Sequence, residues 1–276
     1  MRSMARFICA TIQAYSRAIS SHARSQMPTT TTCGRTNSFS MNIILLRELD
    51  WVAQTTVVLR DYRAKHLLSI LKVTPGQTVR VGLINGKSGL ATVVSVTNSE
   101  VSLDVELREL PRARHPIQII LALPRPKMLR RIFRSVAEFG VGELHLIHSY
   151  RVEKSFWQSP YLSHAKVETA LIQGMERSGD TVMPRIFQHR RFKPFMQDQL
   201  GDVTQGRQVL LAHPGRHDTP TADNARPRAV LIGPEGGFID YEVALAQDVG
   251  ATLVSLGNRI LSVDTAVCAV LARELG

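Results

Sequence analysis

Cysteine is scarce in this chain, which holds only Cys9, Cys33 and Cys268. Three thiols cannot build a disulfide framework, and no C-x-x-C pair is present to grip a metal, which fits a reducing compartment. No apolar run approaches the ~18 residues a membrane helix needs, so no membrane partner is expected. His66, His145, His148, His189 and His213 lack paired ligand spacing and read as structural or loop histidines, with no metal site among them. Neither G-x-G-x-x-G nor a P-loop occurs, which disfavours dinucleotide and nucleoside-triphosphate binding. No Ser/His/Asp constellation stands out, and no internal repeat is visible.

Acidic residues are missing from residues 1–40, which carry Arg2, Arg6, Arg17, Arg24 and Arg35 and a run at Thr29–Thr32. Two readings stay open: an organellar transit peptide, or a start placed too early, since Met41 opens the first strand pattern. Either way the segment is a disordered or targeting extension outside the fold. The expected location is the cytoplasm, or an organelle if the transit peptide is genuine.

What is present reads as globular. The 276 residues are 44% hydrophobic and 21% charged, enough for two domains or one large one. Lys and Arg number 34 against 23 Asp and Glu, giving +11, and +6 without the first forty residues. That sign draws polyanions, with nucleic acid the leading candidate, although many soluble domains of similar charge bind nothing acidic.

Residues 41–110 alternate short strands (Ile43–Leu46, Gln54–Leu59, Thr78–Leu83, Ala91–Thr97, Val101–Leu107) with turn signals at Pro75-Gly76, Asn85-Gly86 and Asn98-Ser99. A helix is expected at His66–Val73 with Leu67, Ile70 and Leu71 facing inward. This pattern suggests a small barrel. After the basic linker Pro111–Pro116 the pattern changes. Strands at Ile117–Leu123, Glu143–His148, Val209–His213, Ala229–Ile232 and Thr252–Leu256 alternate with helices at Lys127–Phe139, Ser163–Met175, Asp240–Val249 and Asp264–Glu274. Continuous apolar strands between helices predict an α/β fold with a parallel sheet covered on both faces.

Chemistry is expected at the carboxyl ends of those strands. Ala229-Val-Leu-Ile-Gly-Pro-Glu-Gly-Gly237 runs a buried strand into a glycine loop, either a close backbone approach to a ligand or a tight turn. Ser255-Leu-Gly-Asn-Arg-Ile-Leu-Ser-Val-Asp-Thr265 leaves another strand and enters a helix that Ser262, Asp264 or Thr265 caps. Leu210-Leu-Ala-His-Pro214 is the third strand end. On the helix after Ile117–Leu123, Lys127, Arg130, Arg131 and Arg134 form one cationic stripe without interleaved acid, opposite Leu129, Ile132, Phe133 and Val136. The stripe is either a phosphate-contacting face or a solvated one. In Ser149–Trp157, the aromatics either stack on a base or anchor a loop on the core.

The motifs Ile232-Gly-Pro-Glu-Gly-Gly-Phe238, Glu242, Val254-Ser-Leu-Gly-Asn-Arg-Ile-Leu261 and Asp264-Thr-Ala266 resemble the RsmE family. So do Leu123–Met128, Ala137–Val141 and Ala64–Gly76, and the resemblance covers residues 41–276. These are SPOUT-class methyltransferases acting on N3 of a uridine in 16S ribosomal RNA. The resemblance implies a PUA-like RNA-binding barrel over 41–112, a SPOUT domain with a C-terminal trefoil knot over 117–276, and a homodimer working on ribosomal RNA or the small ribosomal subunit. It implies S-adenosylmethionine as cofactor, held by Leu211, His213, Gly233, Glu235, Gly236, Leu256, Gly257, Ile260, Leu261 and Thr265. Arg259 and Arg151 are the candidate catalytic cations that favour the N3 anion. Glu235 either orients the base, accepts a proton or caps the glycine loop. RNA contact is expected from Lys127, Arg130, Arg131, Arg134 and Arg151.

Where the family usually has Arg-x-Glu-Thr and Glu-Gln-Ser-Gly-Arg, this chain has Ser262-Val-Asp-Thr265 and Glu176-Arg-Ser-Gly-Asp180. Ser262 and Asp180 stand where arginines are usual, and Asn258 where proline is common. A carboxylate at 180 is expected to repel phosphate, so these departures imply a changed target. They also motivate the alternative of a non-catalytic RNA-binding or ribosome-assembly factor. A small-molecule α/β enzyme is disfavoured by the stripe and the barrel.

Overall fold

The computed structural model describes residues 43–215 and 227–273. The extension 1–40, with Cys9, Cys33 and the start at Met41, lies outside them.

Alternating burial builds the first sheet. In the strand Val101–Glu109, Val101, Leu103 and Val105 turn inward while Asp104 and Glu106 face solvent, the period of two of a one-sided sheet. Its partners are β1 (Ile44–Leu46), β2 (Thr56–Leu59), β3 (Thr78–Leu83) and β4 (Ser88–Val96), so that Val101–Glu109 is β5. The order β1-β3-β4-β5-β2, parallel only between β1 and β3, makes a half-barrel.

Helix α1 (Tyr62–His66) starts four residues before the expected helix, because the Asp61 carboxylate accepts the Arg63 N–H at 2.9 Å and caps it there. A wider, π-helical turn at Leu67–Leu71 follows. It breaks the α-helical phase after Leu67, so Leu67 is buried while Ile70, expected inward, is 67% exposed.

The second sheet contains β6 (Gln118–Ala122), β7 (Glu143–Ile147), β8 (Arg185–His189), β9 (Gln208–Ala212), β10 (Arg228–Ile232) and β11 (Thr252–Val254). Its order is β11-β9-β10-β6-β7-β8, and every pair is parallel. Both faces are covered, so β6 and β10 are buried at every residue. Helices α2 (Pro126–Glu138), α3 (His164–Ser178), α4 (Asp240–Asp248) and α5 (Val263–Arg273) cover the sheet, α2 through Leu129, Ile132, Phe133 and Val136. Strand β8 was not expected. Among the described residues no helix is long and apolar enough to cross a membrane.

His145 and His189 are structural, as read. His145 Nδ1 lies 3.0 Å from His189 Nε2, and the His145 ring stacks on Phe187 with centroids 4.7 Å apart. Burial pushes the His145 pKa down to about 4, so the ring is neutral near pH 7.

The linker Pro111–Pro116 binds the turn that follows α3. Arg112 donates to the Ser178 carbonyl, and Arg114 donates to the Val182 carbonyl and to both Asp180 oxygens, at 2.7 and 2.5 Å. Asp180 also accepts the N–H groups of Thr181 and Val182. The same turn joins the half-barrel: Asn85 N–H donates to the Thr181 carbonyl at 2.7 Å, and Thr181 Oγ1 to the Gly86 carbonyl at 2.7 Å. This corrects the expectation for Asp180. At 5% exposure it is a structural anion paired with Arg114, not a phosphate-repelling charge on an RNA face.

Replacing Asp180 with Ala removes the carboxylate partner of Arg114 and strands two N–H groups, and the expected loss is about 2 kcal/mol of unfolding free energy. Urea denaturation checks it; an unchanged midpoint contradicts the structural role.

Candidate active site

Three loops at the carboxyl ends of neighbouring strands close one cleft. Ala212–Pro214 leaves β9, Ile232–Phe238 leaves β10, and Leu256–Val263 leaves β11. The cleft encloses about 700 Å³, its open mouth included. Leu256, Leu261, Val263 and Ala266 give it an apolar wall, and Gly233, Gly237 and Gly257 expose backbone to it.

Local chemistry fixes each loop. The Gly237 N–H donates to the Pro234 carbonyl at 2.8 Å, and Gly237 has a left-handed φ of 72°. The Gly257 N–H donates to Ser255 Oγ at 3.2 Å. The His213 N–H donates to the Val254 carbonyl at 3.0 Å, extending the β9–β11 pairing into the cleft wall.

Of the ten expected cofactor residues, His213, Gly233, Glu235, Leu256, Gly257, Ile260 and Leu261 line the cleft, as does Arg259. Leu211, Gly236 and Thr265 do not. Leu211 is fully buried in β9, and Thr265 Oγ1 pairs with Ser262 Oγ at 2.8 Å. A Cβ on Gly236 would meet Arg151 Cδ at 2.9 Å, so the close approach there is to an arginine. The Glu235 carboxylate accepts the Arg125 N–H at 3.0 Å, which ties the glycine loop to the start of α2. Of the roles left open for Glu235, this is a capping contact.

Arg151 reaches the same loop, its guanidinium donating to the Gly236 carbonyl. Phe156 and Trp157 pack on the core and anchor their segment, with the Trp157 Nε1–H donating to His148 Nδ1 at 3.0 Å. Tyr150, the remaining aromatic of that segment, is 77% exposed beside Arg151. Glu242 was quoted only as a motif residue, yet its carboxylate joins the Tyr150 N–H to α4 at 2.7 Å.

The cationic stripe is not free of acid. Arg131 pairs with Asp264 at 2.7 Å and Arg134 with Glu138 at 3.7 Å, while Arg130 donates to Gln173 at 3.2 Å. Asp264 lies 133 positions from Arg131, so spacing along α2 could not reveal it. Burial raises the Asp264 pKa, but hydrogen bonds from Ser262 and Arg131 outweigh it and hold the carboxyl below its ordinary range. The Ser262 hydroxyl donates to Asp264 Oδ1 at 2.6 Å beside the start of α5, and Asp264 also pairs with Arg131 of the stripe.

A doubly covered parallel sheet whose carboxyl-end loops wrap a partly apolar cleft is the architecture of an α/β enzyme domain. The family described as RNA methyltransferase domain matches residues 111–274. A ribosomal RNA small subunit methyltransferase E from Treponema pallidum is 31% identical over 238 residues, which is 84% of this chain and 90% of that protein. A protein of the same name from Synechocystis is 25% identical, covering 86% of this chain and 78% of its own length. Among solved structures, the Neisseria gonorrhoeae methyltransferase E bound to S-adenosyl methionine aligns with a TM-score of 0.67 at 21% identity, over 84% of this chain and 95% of that one. A Legionella pneumophila putative methyltransferase in complex with S-adenosyl methionine gives 0.65 at 22%, over 84% and 96%. The chain belongs to the RNA methyltransferase domain family, in its ribosomal RNA small subunit methyltransferase E (RsmE) branch.

The two loop glycines are predicted to differ. Gly237→Ala forces a side chain into left-handed backbone at a cost of about 1 kcal/mol, whereas Gly236→Ala meets no backbone, only the Arg151 side chain at Cδ, which can shift, and costs less. Urea midpoints test this, and the reverse order contradicts the loop geometry.

Proposed function

We propose that this chain is an S-adenosylmethionine-dependent ribosomal RNA methyltransferase acting on N3 of a uridine in 16S ribosomal RNA, within the small subunit. The observation that carries the reading is the cleft: three carboxyl-end loops of a family member converge on one apolar, glycine-edged space. The residues present fit the cofactor. Leu256 and Leu261 offer a flat apolar wall for adenine, and the backbone at Gly233, Gly237 and Gly257 offers polar groups. His213, Glu235 and Ile260 complete the proposed holding set, with Leu211, Gly236 and Thr265 supporting it from behind.

When bound there, S-adenosylmethionine supplies an electrophilic sulfonium methyl group. The chain's own part is to align the acceptor at about 3–3.5 Å and to favour loss of its proton. Arg259 is exposed at the cleft mouth, where its charge favours the uridine N3 anion. Arg151 adds charge beside the glycine loop. Glu235 keeps that loop on α2. Lys127, Arg130, Arg131 and Arg134 extend the cationic face for phosphate, Arg131 and Arg134 from within their pairs with Asp264 and Glu138.

The proposed organisation is a PUA-like RNA-binding barrel over 41–112 and a SPOUT domain over 117–276 carrying a C-terminal trefoil knot. The insertion of β10 between β9 and β6 supports the knot. We further propose a homodimer, supported by Ile260, an apolar residue 89% exposed at the cleft mouth that a second copy would cover. The cytoplasm, or an organelle if residues 1–40 are a transit peptide, is the setting this reading requires. The non-catalytic alternative loses part of its motive, because Asp180 is tied to Arg114.

Purified protein is expected to bind S-adenosylmethionine by calorimetry and to transfer labelled methyl to unmethylated small subunits. Arg259→Ala should lower kcat about tenfold or more while leaving the cofactor Kd within about twofold. Absence of both binding heat and label overturns the reading.

A further inference from the structure

Glu242 is a buried acid that takes no part in the cleft wall. It sits in the first turn of α4, 3% exposed, and its two oxygens serve different elements. Oε2 accepts the Ile239 N–H at 3.1 Å, which caps its own helix. Oε1 accepts the Tyr150 N–H at 2.7 Å, from a loop 92 positions away. A helix cap needs one oxygen; the second pins the turn after β7 to the start of α4.

That turn is fixed at further points. The His148 N–H donates to the His189 carbonyl at 2.9 Å, and His148 Nδ1 accepts the Trp157 indole N–H. The Val152 N–H donates to the Ser149 carbonyl at 3.0 Å, closing the turn. What the turn presents is Arg151, its guanidinium on the Gly236 carbonyl at the lip of the cleft. Burying a carboxylate is offset here by two charge-assisted hydrogen bonds, and the one to Tyr150 is lost if the turn moves.

We propose that Glu242 is a positioning residue: it holds the Ser149–Val152 turn against the glycine loop so that Arg151 meets the RNA target. This rests on the ribosomal RNA methyltransferase reading above. Glu242 acts through the backbone of Tyr150 and touches neither cofactor nor substrate.

A double-mutant cycle tests it. Glu242→Gln keeps the size and one acceptor oxygen, but its amide NH2 then opposes one of the two N–H donors. Methylation of unmethylated small subunits is measured for wild type, Glu242→Gln, Arg151→Ala and the double variant, with S-adenosylmethionine affinity by calorimetry alongside. Glu242→Gln should raise the KM for subunits about tenfold with the cofactor Kd within about twofold. In the Arg151→Ala background the same change should add less than about twofold, because the residue it positions is gone. An unchanged KM, an equal cost in both backgrounds, or a parallel loss of cofactor affinity overturns the proposal. If Glu242→Gln melts below the assay temperature, Glu242→Asp, too short by one methylene to hold both N–H groups, goes through the same cycle and the same criteria. A wild-type chain that neither binds the cofactor nor methylates subunits overturns the functional reading, and the proposal with it, before any variant is compared.

Discussion

Everything in the candidate site hangs from β10. This strand lies between β9 and β6, is buried at all five residues, and ends at Ile232 where the glycine loop begins. The other two sides come from β9, its neighbour, which ends beside His213, and from β11, paired to β9 on the far side, which ends beside Leu256. Because the strands are parallel, their carboxyl ends fall on one edge and their loops must share one space. A cleft built this way is as rigid as the sheet beneath it. Side chains at its rim can then be set by a few long-range bonds, Glu235 to Arg125 and Glu242 to Tyr150.

The two sheets are joined through the core, where Ile43 and Leu45 pack with the residues of the second sheet, and by polar contacts at the turn after α3. Thr181 exchanges hydrogen bonds with Asn85 and Gly86 of the half-barrel, and Met183 N–H donates to Asn85 Oδ1 at 2.9 Å. Asp180 braces that turn from the other side through Arg114. Tyr62 adds a bond from α1 to Glu176 at 2.9 Å.

Local pattern made much of this legible. Continuous apolar runs marked β6 and β10, and the opposed faces of α2 placed Leu129, Ile132, Phe133 and Val136 correctly in the core. The loops around Gly233 and Gly257 were legible because glycine and proline follow buried strands. Other features depended on partners far along the chain. Asp180 looked like a surface charge because Arg114 is 66 positions away; of the stripe's acids, Asp264 is 133 positions from Arg131, whereas Glu138, four residues after Arg134, was legible and passed over. Strand β8 escaped because Arg185-Ile-Phe-Gln-His189 neither alternates nor runs apolar at a half-exposed sheet edge. The start of α1 had a readable signal in Asp61, an N-cap residue type, that was passed over.

The central claim is that the cleft methylates ribosomal RNA of the small subunit, and the most direct measurement is mass spectrometry of that RNA from cells lacking this gene. The account predicts that one uridine loses its N3 methyl group and regains it when the gene is restored. Small-subunit RNA with unchanged methylation in the deletion would contradict it.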